Sequence, residues 1–206
     1  IYRTCECTCH TWHDSAKQTE KFSWQKNLLM YLHDLVFLLA AVMVLFLLCF
    51  RVVVVSGSSM NDTLLDGDYL LLLGNVFYQQ PETGDVIVIS KKSFDNGAPI
   101  VKRVIATEGQ TIRIESHIVY VNDVPLEEDY IVGFTEYPFN DSFSLVVPDG
   151  CLFVMGDNRE FSKDSRDPDI GLIDCREVLG KAIFLFLPGT NKGMVEKDYS
   201  RIGVIS

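Results

Sequence analysis

Basic residues are scarce in most of this chain. Of its 206 residues, 18 are Lys or Arg and 28 are Asp or Glu, which gives a formal net charge of −10. From Ser56 to Ser206 there are 13 basic and 24 acidic residues, a net charge of −11, so the deficit lies in this part. A nucleic-acid-binding protein needs a basic face to neutralise phosphates. The composition therefore argues against nucleic acid as a partner.

The chain after residue 55 also lacks amphipathic helical patterns. Instead it contains short runs that are rich in β-branched and aromatic residues and are bounded by Gly, Asp, Asn or Pro. These runs predict strands at 69–73, 85–90, 100–107, 111–115, 118–122, 151–155 and 181–187. The expected fold is a mainly β domain built on antiparallel strand pairs.

Two stretches between these strands are predicted in more detail. Residues 111–122 predict a hairpin that turns at Ser116 and His117, and Asn122-Asp123 predicts a second turn. The stretch Glu127 to Phe143 is acidic and aromatic, and we expect it to be a variable loop.

A single long apolar run lies near the N-terminus. Residues 28–50 contain only His33 and Asp34 as strongly polar residues. At about 1.5 Å per residue, a helix of this length spans the roughly 30 Å hydrocarbon core of a bilayer. Leu35 to Phe50 has no polar face, which favours a transmembrane helix over a buried core helix. The length of the run also argues against a cleaved signal peptide.

Positive charge flanks this run unequally. Four bases precede it, Arg3, Lys17, Lys21 and Lys26, whereas Arg51 alone follows it closely. The positive-inside rule then predicts a cytoplasmic tail at 1–27, a transmembrane helix at 28–51 and an extracytoplasmic domain at 52–206. The expected location is the cell membrane, with a single pass, and the expected partner there is the lipid bilayer.

Few cysteines and histidines follow the apolar run. Cys151 and Cys175 are the only cysteines after the apolar run, and a disulfide between them stays open. In the tail, alternating Cys5, Cys7 and Cys9 beside His10 lack the CxxC spacing of zinc sites, so a reduced tail is favoured over metal binding. Only one histidine follows the run, in the hairpin turn, which argues against a Ser-His-Asp triad.

Three polar segments remain as candidates for chemistry. The first holds adjacent Ser58 and Ser59 in a Gly-flanked stretch, which is otherwise typical of a loop. The second is Lys102-Arg103 inside an apolar strand, where alternation directs one of the two bases to the interior unless the strand is a solvated edge. A buried lysine has a lowered pKa and can act as a base. The third, 156–171, lacks calcium-loop spacing, and an acidic surface loop is its alternative.

Taken together, these segments resemble the type I signal peptidases, membrane-bound serine proteases that remove signal peptides from exported proteins. The resemblance follows the family's order and runs from the apolar helix to near the C-terminus. Its motifs are VSGSSMNDTLLDGD at 55–68, GDVIVIS at 84–90, IVKRVIATEGQTI at 100–112, VNDVPL at 121–126 and MGDNREFSKDSRDPDIG at 155–171.

This resemblance implies roles for individual residues. Ser59, the serine before Met60, would be the nucleophile, Lys102 the general base, and Ser162 the residue that orients the lysine. The nucleophile turn and oxyanion hole would comprise Gly57, Ser58 and Met60. The implied structural residues are Arg103, Asp157, Asn158, Arg159, Asp164 and Arg166. The chain departs from the family at Asp62, where a proline is usual, and we expect a change in stiffness more than lost chemistry.

The implied reaction is acyl transfer by a Ser/Lys dyad, without a metal or cofactor. Its substrates would be precursors that bear signal peptides, with small residues at the first and third positions before the cleaved bond. Two alternatives stay open. The self-cleaving domains of SOS-response repressors share the dyad, but the apolar helix and the acidic charge argue against them. A membrane-anchored module that binds exported chains without cutting them is favoured only by Asp62.

Overall fold

The computed structural model describes residues 10–137, 142–189 and 197–205. These residues form two compact units, which divide between Leu47 and Leu48. The first unit is helical, and the second contains β-strands joined by loops and three short 3-10 helices.

Helix α1 extends over His10–Cys49. Its segment Lys26–Cys49 is long and apolar enough to cross a membrane, with a mean hydropathy of 2.6 and no buried side chains. The helix begins before the expected residue 28, because no proline or glycine interrupts residues 10–49 and each added residue of a helix contributes one hydrogen bond. It ends at Cys49, where a run with three valines begins a strand.

The second unit contains twelve strands. They are β1 (Phe50–Val54), β2 (Tyr69–Gly74), β3 (Val86–Ile89), β4 (Ile100–Ala106), β5 (Thr111–Glu115), β6 (Ile118–Val121), β7 (Val124–Pro125), β8 (Ser142–Val146), β9 (Cys151–Met155), β10 (Ile173–Asp174), β11 (Val178–Leu187) and β12 (Gly203–Val204). Every predicted strand is present to within a few residues. The prediction of a mainly antiparallel β fold is confirmed, because all pairs of named strands are antiparallel.

The strands form two sheets. The larger sheet has the order β1-β2-β11-β3-β4-β9-β10, with β12 paired to β11, and the smaller has the order β7-β6-β5-β8. The predicted hairpin is β5–β6, and its turn residues Ser116 and His117 both have positive φ angles. Asn122 and Asp123 form the second predicted turn, also at positive φ, between β6 and β7.

The middle of the larger sheet is buried on both faces. Successive residues of β3 enter two different apolar clusters: Val86 and Val88 pack in one, Ile87 and Ile89 in the other. Strand β4 lies between β3 and β9, and six of its seven residues are buried. Its two adjacent bases are therefore both enclosed, although alternation alone predicted only one inward-facing base.

Candidate active site

Ser59 lies in the loop 55–68 between β1 and β2, which we call the nucleophile loop. Two backbone hydrogen bonds close its base, from the Val55 amide to the Asp68 carbonyl at 2.8 Å and from the Gly67 amide to the Val55 carbonyl at 2.9 Å. Next to Ser59, Met60 is buried in the apolar core, whereas Ser58 is exposed. The buried methionine anchors the loop and leaves Ser59 half-buried at its surface.

Lys102 approaches Ser59 from strand β4. Its Nζ lies 2.7 Å from Ser59 Oγ, within hydrogen-bond distance, and the lysine is 3% exposed. Burial lowers the pKa of Lys102 to about 8, because the ammonium loses its hydration, while the charges of Asp164 and Asp157 offset part of this effect and that of Arg166 adds to it. A lysine with this pKa is partly neutral near neutral pH and can accept a proton from the serine.

Arg103, the next residue, is held by a carboxylate. Its Nε and Nη2 donate to the two oxygens of Asp157 at 2.9 and 2.8 Å, and Nη1 donates to the Gly84 carbonyl at 2.8 Å. The ring of Tyr130 stacks on the guanidinium, with 3.9 Å between its centroid and Cζ. Burial lowers the pKa of Arg103, but the hydrogen bonds and charge of Asp157 outweigh it and raise the pKa.

The polar segment after β9 binds directly to the nucleophile loop. The Asn158 amide donates to the Ser59 carbonyl at 3.1 Å, and Asn158 Nδ2 donates to the Ser58 carbonyl at 3.0 Å. Thr63 Oγ1 donates to Asp157 Oδ2 at 2.6 Å. Asn158 therefore holds the backbone on both sides of Ser59, and Asp157 holds the side chain of Thr63.

Three further charged residues of this segment, Arg159, Asp164 and Arg166, form buried ion pairs. Asp164 accepts from the Gly156 amide at 3.0 Å and from Arg166 Nε and Nη2, each at 2.8 Å. Arg159 pairs with Glu128 and donates to Thr135 Oγ1 at 2.6 Å. No buried side-chain nitrogen or oxygen in the described part of the chain lacks a hydrogen-bond partner.

Gly156 is a site residue that the sequence did not indicate. A Cβ at this position would lie 2.4 Å from the Ser59 carbonyl oxygen and 2.3 Å from Ser162 Oγ, so only glycine fits between them. The only signal for it was its position at the start of the GDNR motif. Ser162 thus lies beside the nucleophile loop, and its hydroxyl donates to the Lys163 carbonyl at 3.5 Å. Among the described residues it has no hydrogen bond to Lys102.

The segment from Glu128 to Glu136, expected to be part of a variable loop, is also part of the site. Val132 donates its amide to the Asp157 carbonyl at 2.8 Å and accepts from the Arg159 amide at 2.9 Å. The same segment provides Glu128 and Thr135 to Arg159, and Tyr130 to Arg103. Its residues therefore contact two buried arginines, Arg159 through hydrogen bonds and Arg103 through the ring of Tyr130, and no local pattern in the sequence indicated this.

The sequence left a metal site and a disulfide open. Cys5, Cys7 and Cys9 lie outside the described residues, so the structure does not bear on metal binding there. Within the described ranges, no group of three or more His, Cys, Asp or Glu side chains is arranged to hold a metal ion. Cys151 and Cys175 are both present as free thiols.

Comparison with known proteins shows which family and which individual proteins this chain is similar to. The model of the family described as signal peptidase, peptidase S26, matches residues 28–187. The chain is 35% identical over 148 residues to the probable signal peptidase I-1 of Synechocystis sp., covering 68% of this chain and 73% of that protein. It is 32% identical over 180 residues to signal peptidase I of Bacillus licheniformis, covering 84% of this chain and 91% of that protein. The crystal structure of a signal peptidase I from Enterococcus faecalis V583 is 32% identical, with a TM-score of 0.42, over 50% of this chain and 97% of that chain.

Proposed function

This chain belongs to the signal peptidase family, peptidase S26, and we propose that Ser59 and Lys102 are the catalytic dyad with which it removes signal peptides from exported precursor proteins. The observation that carries the proposal is the 2.7 Å contact between Lys102 Nζ and Ser59 Oγ. The buried lysine with its lowered pKa is suited to act as the base. Membership of the family makes the chain a serine peptidase, so the proposal concerns which residues act and on what.

In the first step, the neutral amine of Lys102 takes the hydroxyl proton of Ser59 while Oγ attacks the carbonyl carbon of the peptide bond. The tetrahedral intermediate then collapses. The bond to the leaving nitrogen breaks, the new amine takes the proton from Lys102, and an acyl ester remains on Ser59. Lys102 next takes a proton from water, and the resulting hydroxide attacks the carbonyl carbon of the ester. When the bond between this carbon and Ser59 Oγ breaks, Oγ takes the proton from Lys102, which releases the signal peptide and restores the free enzyme.

The oxyanion of the intermediate needs backbone amide donors. Among the described residues, the Ser59 amide has no hydrogen-bond acceptor, so it can donate to an oxyanion. The Gly57 amide, in contrast, donates to Asp66 Oδ1 at 2.8 Å. Asn158 holds the carbonyls of Ser58 and Ser59, which fixes the orientation of the peptide planes between them. We therefore propose that the Ser59 amide contributes to the oxyanion hole, whereas the Gly57 amide is already engaged by Asp66.

The apolar segment Lys26–Cys49 anchors the enzyme in the same bilayer as its substrate. A precursor whose signal peptide is still in the membrane then meets Ser59 at a raised effective concentration. The bases that precede the apolar run favour an orientation with the N-terminal end in the cytoplasm and the β unit outside. We propose that the cleavage site of this precursor has small residues at the first and third positions before the cleaved bond.

The proposal is tested with full-length protein in detergent and a precursor that carries a small-x-small cleavage site, with mass analysis of the products. Ser59→Ala should reduce cleavage by about 10³-fold or more, because the nucleophile is lost. Ser58→Ala is the matched control: its side chain is exposed, and only its backbone carbonyl is used. It should retain most of the activity. Equal losses in the two variants would contradict the assignment of Ser59, and an unprocessed precursor with wild-type enzyme would favour a binding module.

A further inference from the structure

A buried carboxylate at the end of the nucleophile loop binds groups from distant parts of the chain. Asp68 is 0% exposed, and its oxygens accept from the amides of Leu65 at 2.7 Å and Gly189 at 2.6 Å. Arg201 completes the arrangement, because its Nη1 and Nη2 donate to the two Asp68 oxygens at 3.0 and 2.7 Å. A buried carboxylate with a bidentate arginine is a strong and directional contact.

Arg201 comes from the described C-terminal segment 197–205, and its position there is fixed. It ends a short 3-10 helix, Tyr199–Arg201, which Asp198 caps by accepting from the Ser200 amide at 3.0 Å. Strand β12 follows and pairs with β11 through Phe184 and Val204. The guanidinium therefore approaches the nucleophile loop from a segment that is itself anchored to the larger sheet.

Thr63 connects this contact to the dyad. Its carbonyl accepts from Arg201 Nη2 at 3.2 Å, while its hydroxyl donates to Asp157 Oδ2 at 2.6 Å. The loop is thus held from two sides, by the segment after β9 and by the C-terminal segment. Both contacts are within a few residues of Ser59 in sequence, and neither involves the reacting atoms.

We infer that Arg201 is a positioning residue for catalysis, which holds the nucleophile loop so that Ser59 Oγ stays in reach of Lys102. The inference rests on the proposed function of Ser59 and Lys102. Proton transfer needs the two groups within hydrogen-bond distance, and a displacement of about 1 Å can cost on the order of 10²-fold in rate. Without Arg201, Thr63 loses one of its two contacts and the buried Asp68 loses its counter-charge.

The test uses full-length protein and a short soluble peptide with a small-x-small site. Arg201→Ala should lower kcat by about 10- to 100-fold with KM changed less than about twofold, because the nucleophile moves while peptide-binding groups remain. Guanidinium ion at non-denaturing concentration should restore part of kcat by occupying the site beside Asp68. Arg176→Ala is the matched control, since Arg176 is exposed and its ion pair among the described residues is with Asp174. This variant should retain wild-type kcat and show no response to guanidinium.

A second variant addresses folding. Asp68→Asn/Arg201→Met removes both charges together, so no buried carboxylate is left unpaired. It should fold and still show the loss of kcat. A folded Arg201→Ala with wild-type kcat, or a loss in Arg201→Ala that is absent from the double variant and unaffected by guanidinium, would overturn the inference. Failure of the proposed function looks different, because wild type and Arg176→Ala would then also leave the peptide uncut.

Discussion

Two adjacent basic residues lie on opposite faces of strand β4, and their surroundings shift their pKa values in opposite directions, down for Lys102 and up for Arg103. Lys102 and Arg103 are 3% and 2% exposed, so burial acts on both in the same direction and favours the neutral form. Arg103 nevertheless stays charged, because Asp157 accepts two hydrogen bonds from it. Lys102 contacts the hydroxyl of Ser59 and has, among the described residues, no carboxylate within ion-pair distance.

The difference shows that burial by itself does not decide what a buried base does. A hydrogen-bonded carboxylate raises the pKa of Arg103 and makes it a fixed structural cation. For Lys102, the carboxylates of Asp164 and Asp157 act only through space, and their effect is smaller than that of lost hydration. The same strand therefore holds a permanent charge on one face and a titratable base on the other.

The largest expected effect comes from replacing Lys102, which can lose its proton, with an arginine, which stays charged as Arg103 does. Lys102→Arg keeps a positive charge but cannot lose its proton, so kcat/KM should fall by about 10³–10⁴-fold. Lys163→Arg is the control, since it makes the same substitution in the polar segment after β9, where the Lys163 side chain is 61% exposed. A Lys102→Arg enzyme with activity near that of Lys163→Arg would remove the lysine from the mechanism.

The next largest effect is expected when the buried ion pair between Arg103 and Asp157 is broken. Asp157→Asn leaves the guanidinium of Arg103 buried without its counter-charge, which should lower the free energy of unfolding by about 3–5 kcal/mol. Urea denaturation of detergent-solubilised protein measures this. Asp174→Asn breaks the pair with the exposed Arg176 and should change the free energy of unfolding far less, because solvent screens this pair. Similar losses in both variants would mean that the buried pair is no stronger than a surface one.

A smaller effect concerns the cost of burying the lysine. The pKa of Lys102 is about 8 in the folded chain against 10.5 when exposed, so below pH 8 the folded state bears the full cost of an enclosed ammonium. As the pH rises towards 10.5, the folded state loses its proton first and the cost disappears. Lys102→Met should therefore raise the free energy of unfolding by about 3 kcal/mol at pH 7.

Most of this gain should be absent at pH 10, where the wild-type lysine is neutral in the fold. Urea denaturation at the two pH values gives the comparison. A gain of equal size at both values would mean that packing, rather than charge, causes it.

The smallest effect is the pH dependence of the wild-type rate. With the pKa of Lys102 at about 8, about a tenth of the lysine is neutral at pH 7 and about nine tenths at pH 9. The rate on a short peptide should therefore rise roughly tenfold over this range, with a midpoint near pH 8. A flat profile between pH 7 and 9 would show that a group other than Lys102 limits the reaction.

Much of the fold could be predicted because its signals are local. Each of the seven predicted strands is present, since a strand pattern is contained in a few neighbouring residues. Strand β1 was not predicted, because the valines after Arg51 follow directly on the apolar run of the helix. Strand β8 falls at the end of the stretch that was expected to be a loop, and its alternating pattern of burial depends on its pairing with β5.

The candidate site likewise has one part that could be predicted from the sequence and another that could not. The sequence by itself determined which residues to propose as the dyad, because Ser59 and Lys102 lie in motifs that resemble those of a known family. Only the tertiary structure decided that both bases of β4 are buried, that the segment from Glu128 to Glu136 contacts buried arginines, and that Arg201 reaches the nucleophile loop. Thr63 and Arg201 are 138 positions apart, and Thr63 and Asp157 are 94 apart. Contacts over such separations depend on how strands pair and pack, and no periodicity or turn signal in a short stretch of sequence records them.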